Sequence, residues 1–420
     1  MNPLNRTLKD SDPEIYASIN REVDREFNRL ELIASENLAS RAVLEAQGSV
    51  LTNKYAEGYP HARYYEGCEY ADEVEALAIE RGKKLFGVPH INVQPHSGSQ
   101  ANMGVYFAVL NPGDTILGLG LASGGHLTHG AKVNFSGKIY RAVSYDVRES
   151  DQILDYDNIR DIAKRERPKI LITGGSAYSR IIDFKAMRSI ADEVGAYFLV
   201  DMAHFGGLVV TGLYPSPAPY ADFITGTTHK TLRGPRSGYA IAMKEDLAKK
   251  LDKLVFPGIQ GGPLVHTIAA KAVCFREALD PSFRKYQESV IANAKMMASE
   301  LTTRGYSIVS GGTDTHLMLV NTKKSKNLTG DIAAGALDKA FITCNKNGIP
   351  FDPESPKVTS GIRLGTPILT TRGMGTSEIK TVVAFIDRVL CDVNNESTIQ
   401  AVANDVRDLC KKFPIYEYLR

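Results

Sequence analysis

Between about residue 90 and residue 245 the chain alternates short apolar runs with longer amphipathic ones, and no other feature constrains its fold as much. The short runs are INVQ, TILGLG, KILITGG, YFLVDMAH, DFITGTTH and GYAIAM. Most are β-branched and apolar without strict alternation, the pattern of strands buried on both faces. SQANMGVYFAVL and FKAMRSIADEVG lie between them and carry helical spacing. Such alternation predicts an α/β fold built on a mostly parallel sheet flanked by helices.

The flanks read differently. Residues 11–30 place Ile15, Ile19, Val23, Phe27 and Leu30 at helical spacing, which predicts an N-terminal amphipathic helix or arm. ELIASENLAS follows, with Ser35 and Asn37 as capping candidates. Residues 71–86 again read as helix, with Val74, Leu77, Ala78 and Leu85 on one face. Beyond about residue 280 come a long helix (FRKYQESVIANAKMMASELTTRG), strand-like YSIVSGG and HLMLVNT, and more helix. A smaller C-terminal α+β domain is expected there.

Composition narrows the function classes. A formal net charge of +2 on 420 residues gives no footing for nucleic acid or an anionic membrane. The five cysteines are scattered and form no CxxC pair, so neither a disulfide frame nor a zinc site is expected, and no metal. The N-terminus shows no apolar signal region. The longest charge-free run, 91–113, contains Pro, His, Asn and Gln and makes a poor membrane span. A soluble, cytoplasmic protein is expected.

In open parallel sheets ligands sit beyond the carboxyl ends of the strands. The polar residues ending the apolar runs are therefore the first candidates: His96 to Ser99, Ser123 to His126, Ser176, Asp201, His204, and Thr227 to Lys230. SGSQAN (97–102) precedes a helix, and its free N–H groups and hydroxyls suit a phosphate or serve as an ordinary N-cap. GLGLAS (118–123) fails the dinucleotide pattern GxGxxG. Asp201 closes an apolar strand, where a carboxylate needs a cationic partner, such as a protonated ring nitrogen or an arginine, or else caps the following helix. His204 could meet a ligand or cap a loop. Lys230 sits among small hydroxyl residues, and a crowded strand-end amine with a lowered pKa can attack a carbonyl. A phosphate site, an acid for a ring nitrogen and an imine-forming lysine together specify pyridoxal phosphate.

These residues lie within longer motifs: ELIASEN (31–37), LTNKYAEGYPHARYYEGCEYAD (51–72), QPHSGSQAN (94–102), SGGHLTHG (123–130), VDMAHFGGLV (200–209), TTHKTLRGPR (227–236), FPGIQGGPLVH (256–266), NKNGIPFDP (345–353) and VTSGIRLGTP (358–367). Over nearly its whole length the chain resembles the serine hydroxymethyltransferase family, pyridoxal-phosphate enzymes of the aspartate aminotransferase fold type. The resemblance implies a large domain with a mostly parallel seven-stranded sheet (54–279), a small C-terminal domain (280–420) and an N-terminal arm (1–53). It also implies reversible transfer of the serine hydroxymethyl carbon to tetrahydrofolate, giving glycine, through an external aldimine and a carbanion.

By the same resemblance, Lys230 would carry the cofactor, with Asp201 on its ring nitrogen and Thr227 and His229 beside it. His126 would stack on one face of the ring and Ala203 lie under the other, while His204 and Ser176 reach the phenolic oxygen. Gly98 and Ser99 would hold the phosphate, helped by Tyr55 and by Gly261 or Gly262 of a partner subunit in a homodimer. Arg363 with Ser35 would grip the substrate carboxylate. Glu57 and Tyr65, again across the interface, would act at the hydroxymethyl group. Tyr64, Leu121, Gly125, Leu127 and Asn347, with Glu57, would line the folate slot.

His61, Ala62 and Glu66 depart from the family's glycine, lysine and glycine beside the expected folate entrance, which bears on the polyglutamate tail and not on the core reaction. Two rival readings remain at this level. One is an aldolase-like lyase that ignores folate, and the other is a relative that keeps the fold as a scaffold.

Overall fold

The computed structural model describes residues 3–419. Its main sheet has strands β1 (Thr115–Leu119), β2 (Arg141–Tyr145), β3 (Ile170–Thr173), β4 (Tyr197–Asp201), β5 (Phe223–Thr227) and β6 (Gly238–Ala242), in the order β2-β1-β3-β4-β5-β6. All neighbours run parallel except β5 and β6. Leu117, Leu171, Phe198, Val200, Ile224 and Ile241 enter one core, under helices Glu69–Phe86, Phe184–Val194 and Val265–Ala278. Ile116, Ile170, Ile172, Leu199, Phe223 and Ala240 enter another, under Gly98–Val109 and Glu245–Lys253. Alternate residues of one strand thus go to opposite apolar layers, which is why the runs show no polar alternation.

Two expectations need correcting. The described residues form six strands in this sheet, not seven. The INVQ run lies against β6 but makes a single bridge, Asn92 to Ala240. Pro95 has no N–H to donate, and the carbonyls of Val93 and Pro95 are taken by the Lys271 ammonium. The strand RAVSY, β2, has no apolar run to announce it. It is the sheet edge, and Arg141, Ala142 and Ser144 face solvent.

A second, antiparallel sheet comprises β7 (Ser307–Ile308), β8 (Leu317–Asn321), β9 (Asn345–Asn347) and β10 (Gly361–Gly365), in the order β7-β8-β10-β9. Its core is shared with helices Pro281–Thr303, Gly330–Lys339, Thr376–Cys391 and Glu396–Lys411. The N-terminal helix Pro13–Asn28 starts on an Asp12 cap, whose carboxylate accepts from the Ile15 N–H at 3.0 Å, with Pro13 at the first position. Leu30 and Leu32, just after it, are buried in this second core, and Leu30–Glu31 pairs with Ile342–Thr343. No helix among the described residues is long and apolar enough to cross a membrane.

Candidate active site

The carboxyl ends of β3, β4 and β5 open into one cavity of about 330 Å³. Ser35, Gly98, Ser99, His126, Ser176 and Asp201 line it, with Ala203, His204, Thr227, His229, Lys230 and Arg363. Twelve of the residues singled out from sequence therefore meet in one place, drawn from segments up to 328 positions apart, as in the contact of Arg363 with Ser35.

Asp201 is the last residue of β4 and forms the polar end of the cavity. Its Oδ2 accepts from Asn102 Nδ2 at 2.9 Å and His129 Nε2 at 3.1 Å, and its Oδ1 accepts from the Ala203 N–H at 3.1 Å. Burial alone would push its pKa up, yet the hydrogen bonds from His129 and Asn102 hold it well below the usual carboxylate range. His129 Nδ1 accepts from the His126 N–H at 3.3 Å, which leaves the ring proton on Nε2, facing Asp201. Neither open sequence alternative named this histidine. It lies three residues beyond His126 in SGGHLTHG, on the short turn Leu127–His129, and that motif was its one signal.

Asn102 is a hub. Its amide also donates to Thr128 Oγ1 at 2.7 Å, while its carbonyl accepts from Thr225 Oγ1 at 2.6 Å. Thr128 Oγ1 lies 2.7 Å from His126 Nδ1, and the Thr128 N–H donates to the same nitrogen at 3.3 Å. Burial draws the His126 pKa down to about 4, so a neutral ring is presented to the cavity. His204 is likewise held neutral by burial and by the nearby cations Lys230 and Arg363. Its ring stacks on His316, with centroids 5.5 Å apart. His229 is pulled to about 3, first by burial and then by Lys230 and Arg236, and its Nδ1 accepts from the Ser237 N–H at 3.4 Å. Sequence reasoning assigned no role to Asn102, His129, Arg236 or His316.

Lys230 is 8 % exposed. No described residue accepts a hydrogen bond from its amine or forms an ion pair with it. Burial lowers its pKa, Asp201 opposes this and Arg363 and Arg236 add to it, for a net value of about 8. Arg363, on β10, is equally enclosed. It donates to Ser176 O at 2.7 Å, Asn345 Oδ1 at 3.2 Å and Ser35 Oγ at 3.3 Å. These contacts occupy three of its five N–H bonds and provide no carboxylate. Burial brings its pKa down to about 10.

Ser97 is the N-cap of helix Gly98–Val109, its Oγ accepting from the Gln100 N–H at 3.2 Å. Gly98 and Ser99 line the cavity, and their N–H groups, in that first turn, have no intrahelical acceptor. A Cβ on Gly98 would stand 2.7 Å from Thr227 Cγ2, so only glycine lets the helix end come this close to β5.

An adjoining cleft of about 570 Å³ shares His126 and Ser176 with the cavity, and Leu121, Gly125, Leu127 and Asn347 line it. The remaining candidates do not reach Lys230 within the chain. Tyr55, Glu57, Tyr64, Tyr65, Gly261 and Gly262 gather on a separate face. There Tyr55 packs edge-on against Tyr65 at 5.5 Å, and its hydroxyl donates to Glu57 Oε1 at 3.5 Å. The Glu57 carboxylate pushes the Tyr65 phenol up. Tyr64 lies 5.7 Å from Phe256, outside the cleft expected for folate.

The family model for serine hydroxymethyltransferase matches residues 8–386. The chain belongs to this family. Serine hydroxymethyltransferases are pyridoxal-phosphate-dependent one-carbon transferases that use tetrahydrofolate, so this chain belongs to a family of enzymes whose substrates are serine or glycine and the folate.

Proposed function

We propose that the chain catalyses the reversible transfer of the serine hydroxymethyl carbon to tetrahydrofolate, giving glycine and 5,10-methylenetetrahydrofolate, by the covalent, carbanion route implied by its motifs. The observation that carries this reading is the charge arrangement of the cavity. Two buried cations, Lys230 and Arg363, face one buried anion, Asp201, which is already held by His129 and Asn102. Buried charge without a counterion calls for anionic ligands.

The residues fit pyridoxal phosphate. Lys230 offers an unpartnered amine, Gly98 and Ser99 offer free N–H groups to a phosphate, and Asp201 offers a carboxylate to a ring nitrogen. When bound, the cofactor supplies an aldehyde that bonds to amines and a ring that delocalises a carbanion.

The chain's own residues would do the rest. With a pKa near 8, about one Lys230 amine in ten is neutral at pH 7, against fewer than about one in a thousand for an ordinary lysine. Arg363 would orient the substrate carboxylate with its two remaining N–H bonds, and Ser35 would hold the fork in place. His126, with Nδ1 engaged by Thr128, keeps its proton on Nε2. Asp201, anionic throughout the working pH range, would keep the ring nitrogen protonated. The cleft of Leu121, Leu127 and Asn347 would take the folate.

We further infer a homodimer in which Tyr55, Glu57, Tyr65 and Gly261 serve the partner's cavity, Glu57 moving the proton at the substrate hydroxyl. Their grouping on a separate, partly exposed face supports this. We also infer a division into an arm (1–53), a large unit (54–279) and a small one (280–420), which would leave that face on the large unit. The test is glycine formation from serine with and without tetrahydrofolate. The folate should accelerate it strongly. An unchanged rate would support the aldolase-like lyase instead.

A further inference from the structure

The strap of residues 93–97 beside β6 leads directly into the Ser97 cap and the Gly98–Ser99 N–H groups, yet it has no ladder to hold it. Lys271, 1 % exposed in helix Val265–Ala278, occupies the place a ladder would take. Its ammonium donates to the carbonyls of Val93, of Pro95 at 3.1 Å and of Gly238 at 2.7 Å. An ammonium has three N–H bonds, and these acceptors use all of them. Two of the carbonyls belong to the strap and one to the first residue of β6. The same Pro95 carbonyl also accepts from the Gly238 N–H at 3.2 Å and from Ser237 Oγ at 3.1 Å. Behind them the fit is tight, since a Cβ on Gly238 would stand 2.3 Å from the Ser97 carbonyl oxygen. Elsewhere the strap is held by two glutamine side chains: Gln94 Nε2 donates to Gly58 O at 2.9 Å and to Glu75 Oε1 at 2.8 Å, and Gln260 clasps the strap's backbone. Gln260 Nε2 donates to Gln94 O at 3.0 Å, and its Oε1 accepts from the His96 N–H at 3.1 Å.

A buried ammonium needs acceptors as much as the carbonyls need donors, so this cluster has one low-energy arrangement. We propose that Lys271 is a positioning residue for the phosphate cradle: by gathering the Val93, Pro95 and Gly238 carbonyls onto one nitrogen it sets where the Gly98 and Ser99 N–H groups point. It touches neither substrate nor cofactor. Its effect is on cofactor affinity, not on serine recognition, which belongs to Arg363 on another element. The inference rests on the cofactor reading given above.

The experiment compares wild type with Lys271→Met and Lys271→Arg. Ile268→Val, a core substitution on the same helix, is the control for general loosening. Pyridoxal phosphate affinity is measured by equilibrium dialysis, and amide hydrogen exchange is followed in peptides covering 93–102 and, for comparison, the strand with Arg363. Lys271→Met should raise the cofactor dissociation constant at least ~10-fold and speed exchange in 93–102, with the Arg363 peptide unchanged and the serine KM at saturating cofactor within about two-fold, as expected when hydrogen bonds from a charged group are lost. Lys271→Arg keeps the charge but cannot place one nitrogen beneath three carbonyls, and should fall between. It also carries the test if the methionine variant does not fold. Cofactor affinity in both folded variants equal to that of Ile268→Val would overturn the proposal, as would unchanged exchange in 93–102. If wild type itself binds no pyridoxal phosphate, the reading of the whole cavity fails and this inference falls with it.

Discussion

The role proposed for Arg363 separates binding from chemistry. Its fork faces the cavity with two N–H bonds to spare and no carboxylate on it. Arg363→Ala should raise the serine KM roughly 10- to 150-fold while leaving the bound-cofactor spectrum in place, since a charge-assisted hydrogen bond contributes about 1.5–3 kcal/mol. Steady-state kinetics with an absorbance spectrum decide it, and loss of colour would assign Arg363 to the cofactor instead. Lys230 makes a pH prediction. Its amine titrates near 8 when folded and near 10.5 when unfolded. Below pH 8 both states are charged and the folded state bears the whole cost of burial. Between 8 and 10.5 the unfolded chain binds more protons, so this cost fades as pH rises. Cofactor-free Lys230→Met should therefore be more stable than the cofactor-free wild type at pH 7, by on the order of 3 kcal/mol, and the gap should close towards pH 10.5. A gap independent of pH in denaturant titrations would show that the amine is not strained by burial. Lys230 and Asp201 were legible in the sequence because a lone charged residue at the end of an apolar run needs a reason, and Arg363 only through its family motif VTSGIRLGTP. His129 and Asn102 were not, because their partner is 72 and 99 positions away and nothing local marks the contact.

At the scale of elements, strands buried on both faces declared themselves, and the exposed edge did not. β2 carries Arg141 and Ser144 outward and reads as loop, whereas INVQ reads as strand and makes only the one bridge to Ala240. Helix ends show the same contrast between local and distant partners. The Asp12–Pro13 start is visible in sequence, but the other end of that helix is closed from afar. Arg372, 6 % exposed, donates to the carbonyls of Glu26 at 3.0 Å, Phe27 at 2.9 Å and Arg29 at 2.9 Å, and to those of Cys410 and Phe413 at 3.2 Å. One guanidinium thus ties the ends of Pro13–Asn28 and Glu396–Lys411 to the Pro367–Thr371 turn. Arg372→Leu should cost at least about 3 kcal/mol in denaturant unfolding, because several buried carbonyls lose their donor together, and should expose the arm to proteases first. Uniform cleavage along the chain would argue against this role.

At the scale of the molecule, the residues that the family motifs single out lie in two separate groups on one chain. Neither Glu57 nor Tyr65 lines the cavity of Lys230, and Glu57 lies in a cleft with Tyr64 and Gly261 instead. If dimers complete the site, Lys230→Met and Glu57→Gln chains are each inactive alone, but a mixed dimer holds one intact centre, with Lys230 from one chain and Glu57 from the other. Mixing should restore activity, and no recovery in verified heterodimers would place Glu57 elsewhere. The proposed sharing came only through the family motifs, since no spacing rule says which subunit a loop serves. The proposed chemistry depends on Lys230 being the residue to which the cofactor is bonded. Borohydride reduction of the holoenzyme followed by peptide mapping tests it most directly. The reduced adduct should lie on the peptide containing THKTLRGPR, at Lys230, and be absent from Lys230→Met. An adduct on another lysine, or none, would contradict the account.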